Sequence, residues 1–275
     1  MLTLLPPQVR RLVPPVVVRN IDFLDVCAGR ARPTKWAIMM GLSSIAIDSE
    51  YGPHMDITTD EGLALLVTCV CRTARGGLML MGPKCSSWVW VCRFSSQRSV
   101  ENPLGDATRD FVRQGNCLNA CCSLVCRIAW ALGVSWVIEQ PSSSLFFATP
   151  LMQAVVADCQ ARRIAFPMSN FGHPACKQTV LVGTASWLPT FCGGVAGLEP
   201  AVEAPAVRRA PKSKAKAALV RPAPKAKAKV GLVRRLGVQS GQQRVRGIPE
   251  LSASQVYPAR FALAIVRAHW PERVP

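Results

Sequence analysis

Residues 21–48 read IDFLDVCAGRARPTKWAIMMGLSSIAID, and their order decides the fold. Ile21 to Cys27 is an apolar run of strand length that breaks into a turn at Cys27, Ala28 and Gly29. Pro33 opens a helical stretch to Met40, and Ser44 to Asp48 is a second short strand ending in an acid. Strand, helix and strand in so short a span make a βαβ unit. Outward from it the alternation continues. Asp60 to Thr73 reads as a helix, Gly77 to Met81 as a buried strand, roughly Thr108 to Leu132 as a long helix, and Ser135 to Ile138 as another strand. A helix near Leu151 to Arg162 precedes two strand-like runs, Ile164 to Met168 and Gln178 to Val182, whose connection SNFGHPACK suits a hairpin at the sheet edge. The expected class is α/β: a Rossmann-like, mostly parallel sheet covered on both faces, with a closing antiparallel hairpin.

With 275 residues, 49% of them hydrophobic, the chain can bury one full core and leave some sequence over. Residues 1–20 read as an irregular arm, because paired prolines and arginines stand where a signal peptide needs its apolar centre. No run of apolar residues is long enough to span a bilayer, so no membrane partner is expected. The twelve cysteines lie mostly inside apolar runs such as CLNACCSLVCRIAW, where the thiol behaves as a small hydrophobe. None has the paired spacing of a structural zinc site, so no metal is expected.

The net charge of +17 is unevenly placed. Between residues 21 and 190, 14 Lys and Arg face 12 Asp and Glu; between 204 and 249, 13 basic residues face no acid. That second stretch alternates Lys with Ala and Pro and has too little apolar surface to offset its ordering entropy, so 191–249 is expected to be a basic disordered linker. A flexible polycation suits phosphate backbones through counterion release, and serves equally as a nuclear import signal; both uses favour the nucleus. Residues 250–275 are expected to form a helix packing back on the domain of residues 21–190.

In an open α/β sheet the ligand site lies at the carboxyl ends of the strands, and there the polar residues of this chain collect. Asp25, Ala28 and Gly29 follow the first strand, Asp48 ends the second, Asp56 and Ile57 lie in MDIT, Gly82, Pro83 and Cys85 follow the next apolar run, and Glu139 follows WVI. Five strand ends are expected to converge.

Taken in order, FLDVCAG, SIAIDSE, HMDIT, GPKCSSW, WVIEQP and SQVYPARFALAIVRAHW resemble the motifs of the cytosine-5 DNA methyltransferase family. The resemblance covers about Ile21 to Thr184 together with the closing helix. It implies S-adenosylmethionine as cosubstrate, held by Asp25, Ala28, Gly29, Asp48, Asp56, Ile57, Gly82 and Pro83, and a target base flipped into a pocket beside Cys85. GPKCSSW resembles the Gly-Pro-Pro-Cys nucleophile loop, and WVIEQP the Glu-Asn-Val motif. The partner implied is DNA, or RNA, methylated at cytosine carbon 5; separately, a monomer is expected.

The chemistry of the residues agrees. Cytosine carbon 5 is a poor nucleophile unless a thiolate adds at carbon 6, a role open to Cys85, with Lys84 placed to favour the thiolate. Glu139 would bond the cytosine edge and support protonation of ring nitrogen 3, while Pro141 holds Gln140 extended and aims Glu139 inward. Asp48 suits ribose hydroxyls and Asp56 an adenine amino group; either is equally suited to a turn or a helix cap, since DITTDEG also reads as a helix start. In SWVWVCRFSSQRSVENPLGD, Arg93 and Arg98 are candidate phosphate contacts. The alternative there is a solvated loop with its tryptophans in the core.

The chain departs from the family pattern in several places. Gly29 is the sole glycine of the first turn, Arg30 stands where a small residue is usual, Lys84 replaces a proline, and Gln-Pro follows Glu139. Lys177, Gln178 and Thr179 take the place of the arginine motif, which makes Lys177 a nucleic-acid candidate. The basic segment takes the place of a target-recognition domain, so weak sequence preference is expected. A catalytically degenerate module of this fold that binds nucleic acid or cofactor, and a methyltransferase for another substrate, are the alternatives.

Overall fold

In a computed structural model the described residues are 18–193, 233–239, 242–247 and 256–273. A six-stranded sheet has the order β2-β1-β3-β4-β6-β5. Its strands are β1 (Ile21–Val26), β2 (Ser44–Ile47), β3 (Thr73–Met81), β4 (Ser135–Pro141), β5 (Arg162–Pro167) and β6 (Gln178–Gly183). β1 pairs in parallel with β2 and β3, and β3 with β4. β6 pairs antiparallel with both β4 and β5, so it alone runs backwards. This is an α/β architecture compatible with a Rossmann-like fold, and the hairpin forms one end of the sheet, with β5 outermost.

The period of two along each strand divides the core. Leu24, Val26, Met79, Met81 and Ile138 face one layer, where they meet α2 (Asp60–Arg72), α4 (Asp110–Ala131) and α5 (Pro150–Asp158). Phe23, Leu78, Leu80, Val137 and Leu181 face the other, against α1 (Arg32–Met39) and α6 (Ala259–His269). Leu78 to Met81 are wholly buried on both faces, as a central parallel strand requires. Each such side chain contributes roughly 1.5–3 kcal/mol relative to exposure. The cysteines of α4 belong to this packing: Cys122 and Cys126 are completely buried, and the cysteines from Cys27 to Cys176 are free of disulfides.

The C-terminal helix α6 packs on the second face of the sheet. Phe261 to Val266 are buried, and His269 locks the far end by accepting from Trp187 Nε1 at Nδ1 (3.0 Å) while its Nε2 meets the carbonyl of Gly76 at 2.9 Å. Burial lowers the pKa of His269, which suits the neutral ring this pairing demands.

Three expectations change. No strand lies between β2 and α2; Pro53–Met55 is a short 3-10 turn, so Asp56 lies in a loop and four strand ends, not five, approach the site. β3 begins at Thr73, ahead of the apolar run, because Thr73, Ala74 and Arg75 continue the extended backbone beyond the end of α2. The linker expected to be disordered across 191–249 contains an antiparallel hairpin, β7 (Val233–Gln239) with β8 (Gln242–Gly247). The Lys/Ala/Pro alternation stops before Val233, and the sequence then supplies valines and no proline up to Gly247, a composition that strands tolerate. The Lys/Ala/Pro run itself and residues 1–17 lie outside the described residues. Among those described, no helix is long and apolar enough to cross a membrane.

Candidate active site

Strand order reverses between β1 and β3: the chain leaves β1 for β2 on one side and returns to β3 on the other. Such a switch point opens a crevice at the carboxyl ends of the strands. Its floor is built from the turn after β1. Ala28 N–H reaches the carbonyl of Ile47 (3.2 Å), and Gly29 N–H donates to Asp48 Oδ2 at 2.8 Å. The other Asp48 oxygen accepts the Glu50 N–H at 2.8 Å, and Tyr51 Oη donates to the Gly29 carbonyl at 2.6 Å.

The turn adopts left-handed backbone at Cys27 (φ 54°), Gly29 (φ 52°) and Ala31 (φ 49°). Only Gly29 does so without steric cost. Each of the other two costs about 1–2 kcal/mol, so the glycine-like path is kept where the glycines themselves are missing.

Asp25 is buried at the end of β1 and accepts Thr34 Oγ1 at 2.8 Å, with the Thr34 backbone N–H also bonded to it. It thus caps α1, whose own N-cap, Ala31, has no side chain to do so. Burial, and secondarily Asp48, push the Asp25 carboxyl up to about 7 despite those bonds. Asp25, Asp48 and Asp56 all face Cys27, whose thiol is driven far up, first by burial and then by these carboxylates. Asp56 Oδ1 accepts both the N–H (2.9 Å) and the hydroxyl (2.7 Å) of Thr58, shaping the turn that leads to the Thr59 cap of α2. Ile57 is a core residue, 3% exposed and packed among the side chains of α2, so its side chain is not at the crevice surface.

The second half of the site stands at the ends of β3 and β4. Gly82 N–H is held by the carbonyl of Val26 at 3.0 Å, and the buried Pro83 carbonyl accepts Gln140 Nε2 at 2.6 Å. That bond ties the loop carrying Cys85 to the strand carrying Glu139. Gln140 is extended within β4, paired with Val180, and completely buried. Glu139, 6% exposed, receives Lys177 Nζ on Oε1 at 3.2 Å and Tyr257 Oη on Oε2 at 3.4 Å. Cys85 lies in the field of both Glu139 and Lys177: its thiol is pushed up to about 11, chiefly by burial and next by Glu139, with Lys177 opposing. Among the described residues, no group of His, Cys, Asp and Glu is arranged to hold a metal ion.

Three expected roles are revised. Lys84 is exposed, and the cation facing Cys85 is Lys177 from the β5–β6 connection. Lys177 therefore acts inside the pocket, on Glu139, whatever it also offers a phosphate. Arg98 is 2% exposed and is no phosphate contact: its Nη1 donates to Pro103 O (2.6 Å) and Asn116 Oδ1 (2.8 Å), and its Nη2 to Ser87 Oγ (3.2 Å) and Val112 O (3.1 Å). Its guanidinium also lies 3.5 Å from the centroid of the Trp88 ring, so it staples the loop after Cys85 to α4. Arg93 is exposed at the start of α3 (Arg93–Ser96) and remains open to an outside anion. Of the tryptophans in that loop, Trp88 enters the core and Trp90 remains 41% exposed.

Tyr257 was missed as a site residue, although it lies inside the segment read as the closing helix. Its signal was a tyrosine just before the proline that opens α6, in a chain with two tyrosines. Set against known proteins, the chain matches no family model and no curated protein.

Proposed function

We propose that this chain transfers a methyl group from S-adenosylmethionine to carbon 5 of cytosine in DNA, through a covalent adduct on Cys85. The observation that carries the reading is the grouping of Cys85, Glu139 and Lys177 at the ends of β3 and β4, beside a crevice at the switch point lined by Asp25, Asp48 and Asp56. Bound S-adenosylmethionine would supply an electrophilic methyl group on a positively charged sulfur. The crevice suits such a molecule: the Asp48 and Asp56 carboxylates favour a cation, and the Asp48 oxygens, each engaged by one backbone N–H, keep lone pairs for ribose hydroxyls.

The protein's own part is the activation of the ring. Cys85 Sγ bonds to carbon 6 as its proton passes through solvent to nitrogen 3, where Glu139, bonded to the ring edge, stabilises it. Carbon 5, now electron-rich, takes the methyl group as the methyl–sulfur bond of S-adenosylmethionine breaks to leave a neutral thioether, and then gives its own proton to water. The Sγ–carbon 6 bond breaks, the proton on nitrogen 3 returns to the thiolate, and the aromatic ring is restored. Lys177 holds Glu139 in place and favours the thiolate. Arg93 at the rim and the basic segment after residue 204 would meet the phosphate backbone, with little to read base edges.

One observation favours the degenerate module. A thiol pushed up to about 11 is almost wholly protonated at neutral pH. Methyl transfer from tritiated S-adenosylmethionine to DNA and to RNA, with wild type beside Cys85→Ala, separates the readings. Transfer to DNA that vanishes in Cys85→Ala supports the proposal. Cofactor binding without transfer by either protein replaces it with the binding module, and transfer to RNA alone changes the substrate.

A further inference from the structure

Tyr257 reaches the site from a segment remote in sequence from every other site residue, and it is held at both ends. Its carbonyl accepts Arg32 Nη1, at the start of α1, at 2.6 Å. Its hydroxyl stands 3.4 Å from Glu139 Oε2. Its ring lies 5.0 Å from that of Phe261, on the first turn of α6. The same hydroxyl fills the space over Gly82: a Cβ there would stand 2.5 Å from Oη, and only 3.4 Å from the next atoms, Tyr257 Cζ and Cys27 O. The phenol therefore sits between the acidic crevice and the cysteine pocket, touching the turn that leads to Cys85 and the carboxylate beside it.

We propose that Tyr257 is a positioning residue for Glu139: its hydroxyl fixes one carboxylate oxygen while Lys177 fixes the other, so the C-terminal segment completes the site. This rests on the methyltransferase reading above. The charged and titratable groups facing Glu139 are Lys177 from the β5–β6 connection, Cys85 from the loop after β3 and Tyr257 itself; Asp25 and Cys27 face the phenol from the end of β1. Without that bond one Glu139 oxygen is free to turn away from the ring edge, a misplacement felt in the chemical step and not in cofactor binding. A residue that served only to pack α6 would leave kcat where it was once that packing is kept.

The test uses the full chain and tritiated methyl transfer to bulk DNA and RNA. Tyr257→Phe keeps the ring against Phe261, so the packing of α6 is preserved. It is expected to lower kcat about tenfold and to leave KM for S-adenosylmethionine within about twofold. Gly82→Ala supplies the second variant. Its Cβ should displace the hydroxyl and reduce kcat in the wild-type background, yet cost much less on top of Tyr257→Phe, where the oxygen it strikes is gone. Cys85-dependent transfer with an unchanged kcat in Tyr257→Phe overturns the role of Tyr257 alone, as does strict additivity of the two substitutions. Transfer that is absent from wild type, or indifferent to Cys85→Ala, overturns the methyltransferase reading and this inference with it.

Discussion

Cys85 and Asp25 stand just past and at the ends of neighbouring strands, and the pKa of each is raised by burial, with a carboxylate neighbour adding to it. For Cys85 the balance is adjustable, because Glu139 raises its pKa and Lys177 lowers it. Iodoacetamide reacts with thiolates, so Glu139→Gln should speed carboxamidomethylation of Cys85 at pH 8.5, and Lys177→Met should slow it. Site-resolved mass spectrometry is the readout, since exposed Cys117 and Cys176 will also react. Equal rates in the three proteins would mean that neither group acts on the thiol. For Asp25 the consequence is stability. A carboxyl near 7 in the fold and near 3.8 when unfolded holds its proton better in the folded state. Its contribution is fully present below about pH 4 and is lost as the pH rises through 7, a penalty on the order of a few kcal/mol at pH 8. Asp25→Asn should therefore raise the melting temperature at pH 8 and change it little at pH 4, with Thr34 Oγ1 still donating to the amide oxygen. A gain that is the same at both values would place the effect elsewhere.

Between β1 and α1, the turn through Cys27, Gly29 and Ala31 keeps a left-handed path that its side chains resist. Ala31→Gly should relieve that strain. The gain is partly offset by the extra freedom of glycine in the unfolded chain, leaving about 0.5–1 kcal/mol, readable in urea denaturation as a higher midpoint at constant slope. A lower midpoint would mean that the Cβ of Ala31 packs better than its backbone suffers. Elements of this kind also show what the sequence could and could not reveal. β1, β2 and β3 were legible because their apolar runs are short, uninterrupted and bounded by turn residues, and α4 because a long stretch lacks proline. The backbone of Cys27 and Ala31 was not, since nothing in those residue types signals positive φ. Arg98 was misassigned because a basic residue among serines looks solvated; only the fold brings Trp88, Asn116 and the Val112 carbonyl around it. The partnership of Glu139 with Lys177 and Tyr257 joins residues 38 and 118 positions apart, a separation that no local pattern encodes.

At the scale of the whole chain, the sheet and its helices gather the candidate chemistry at one end, while the excess charge lies in a separate stretch of sequence. From 21 to 190 basic and acidic residues nearly balance, whereas 204 to 230 has nine Lys and Arg and no acid. The hairpin β7–β8 follows that stretch, so the basic run is inserted between the sheet and two further elements, the hairpin and α6. Charge and chemistry should therefore separate experimentally. Deleting 204–230 removes phosphate-neutralising groups but none of the residues around Cys85, Glu139 or Asp48. Each phosphate that is no longer neutralised should flatten the slope of log affinity against log salt by about 0.9 for duplex DNA and about 0.7 for a single strand. The proposed binding of S-adenosylmethionine, measured by calorimetry on the same protein, should be the same with and without the deletion. An unchanged salt slope would move the nucleic-acid contacts to Arg93 and the rim of the pocket. A slope that flattens together with a loss of cofactor affinity would mean that the inserted run also holds α6, and with it Tyr257, in place.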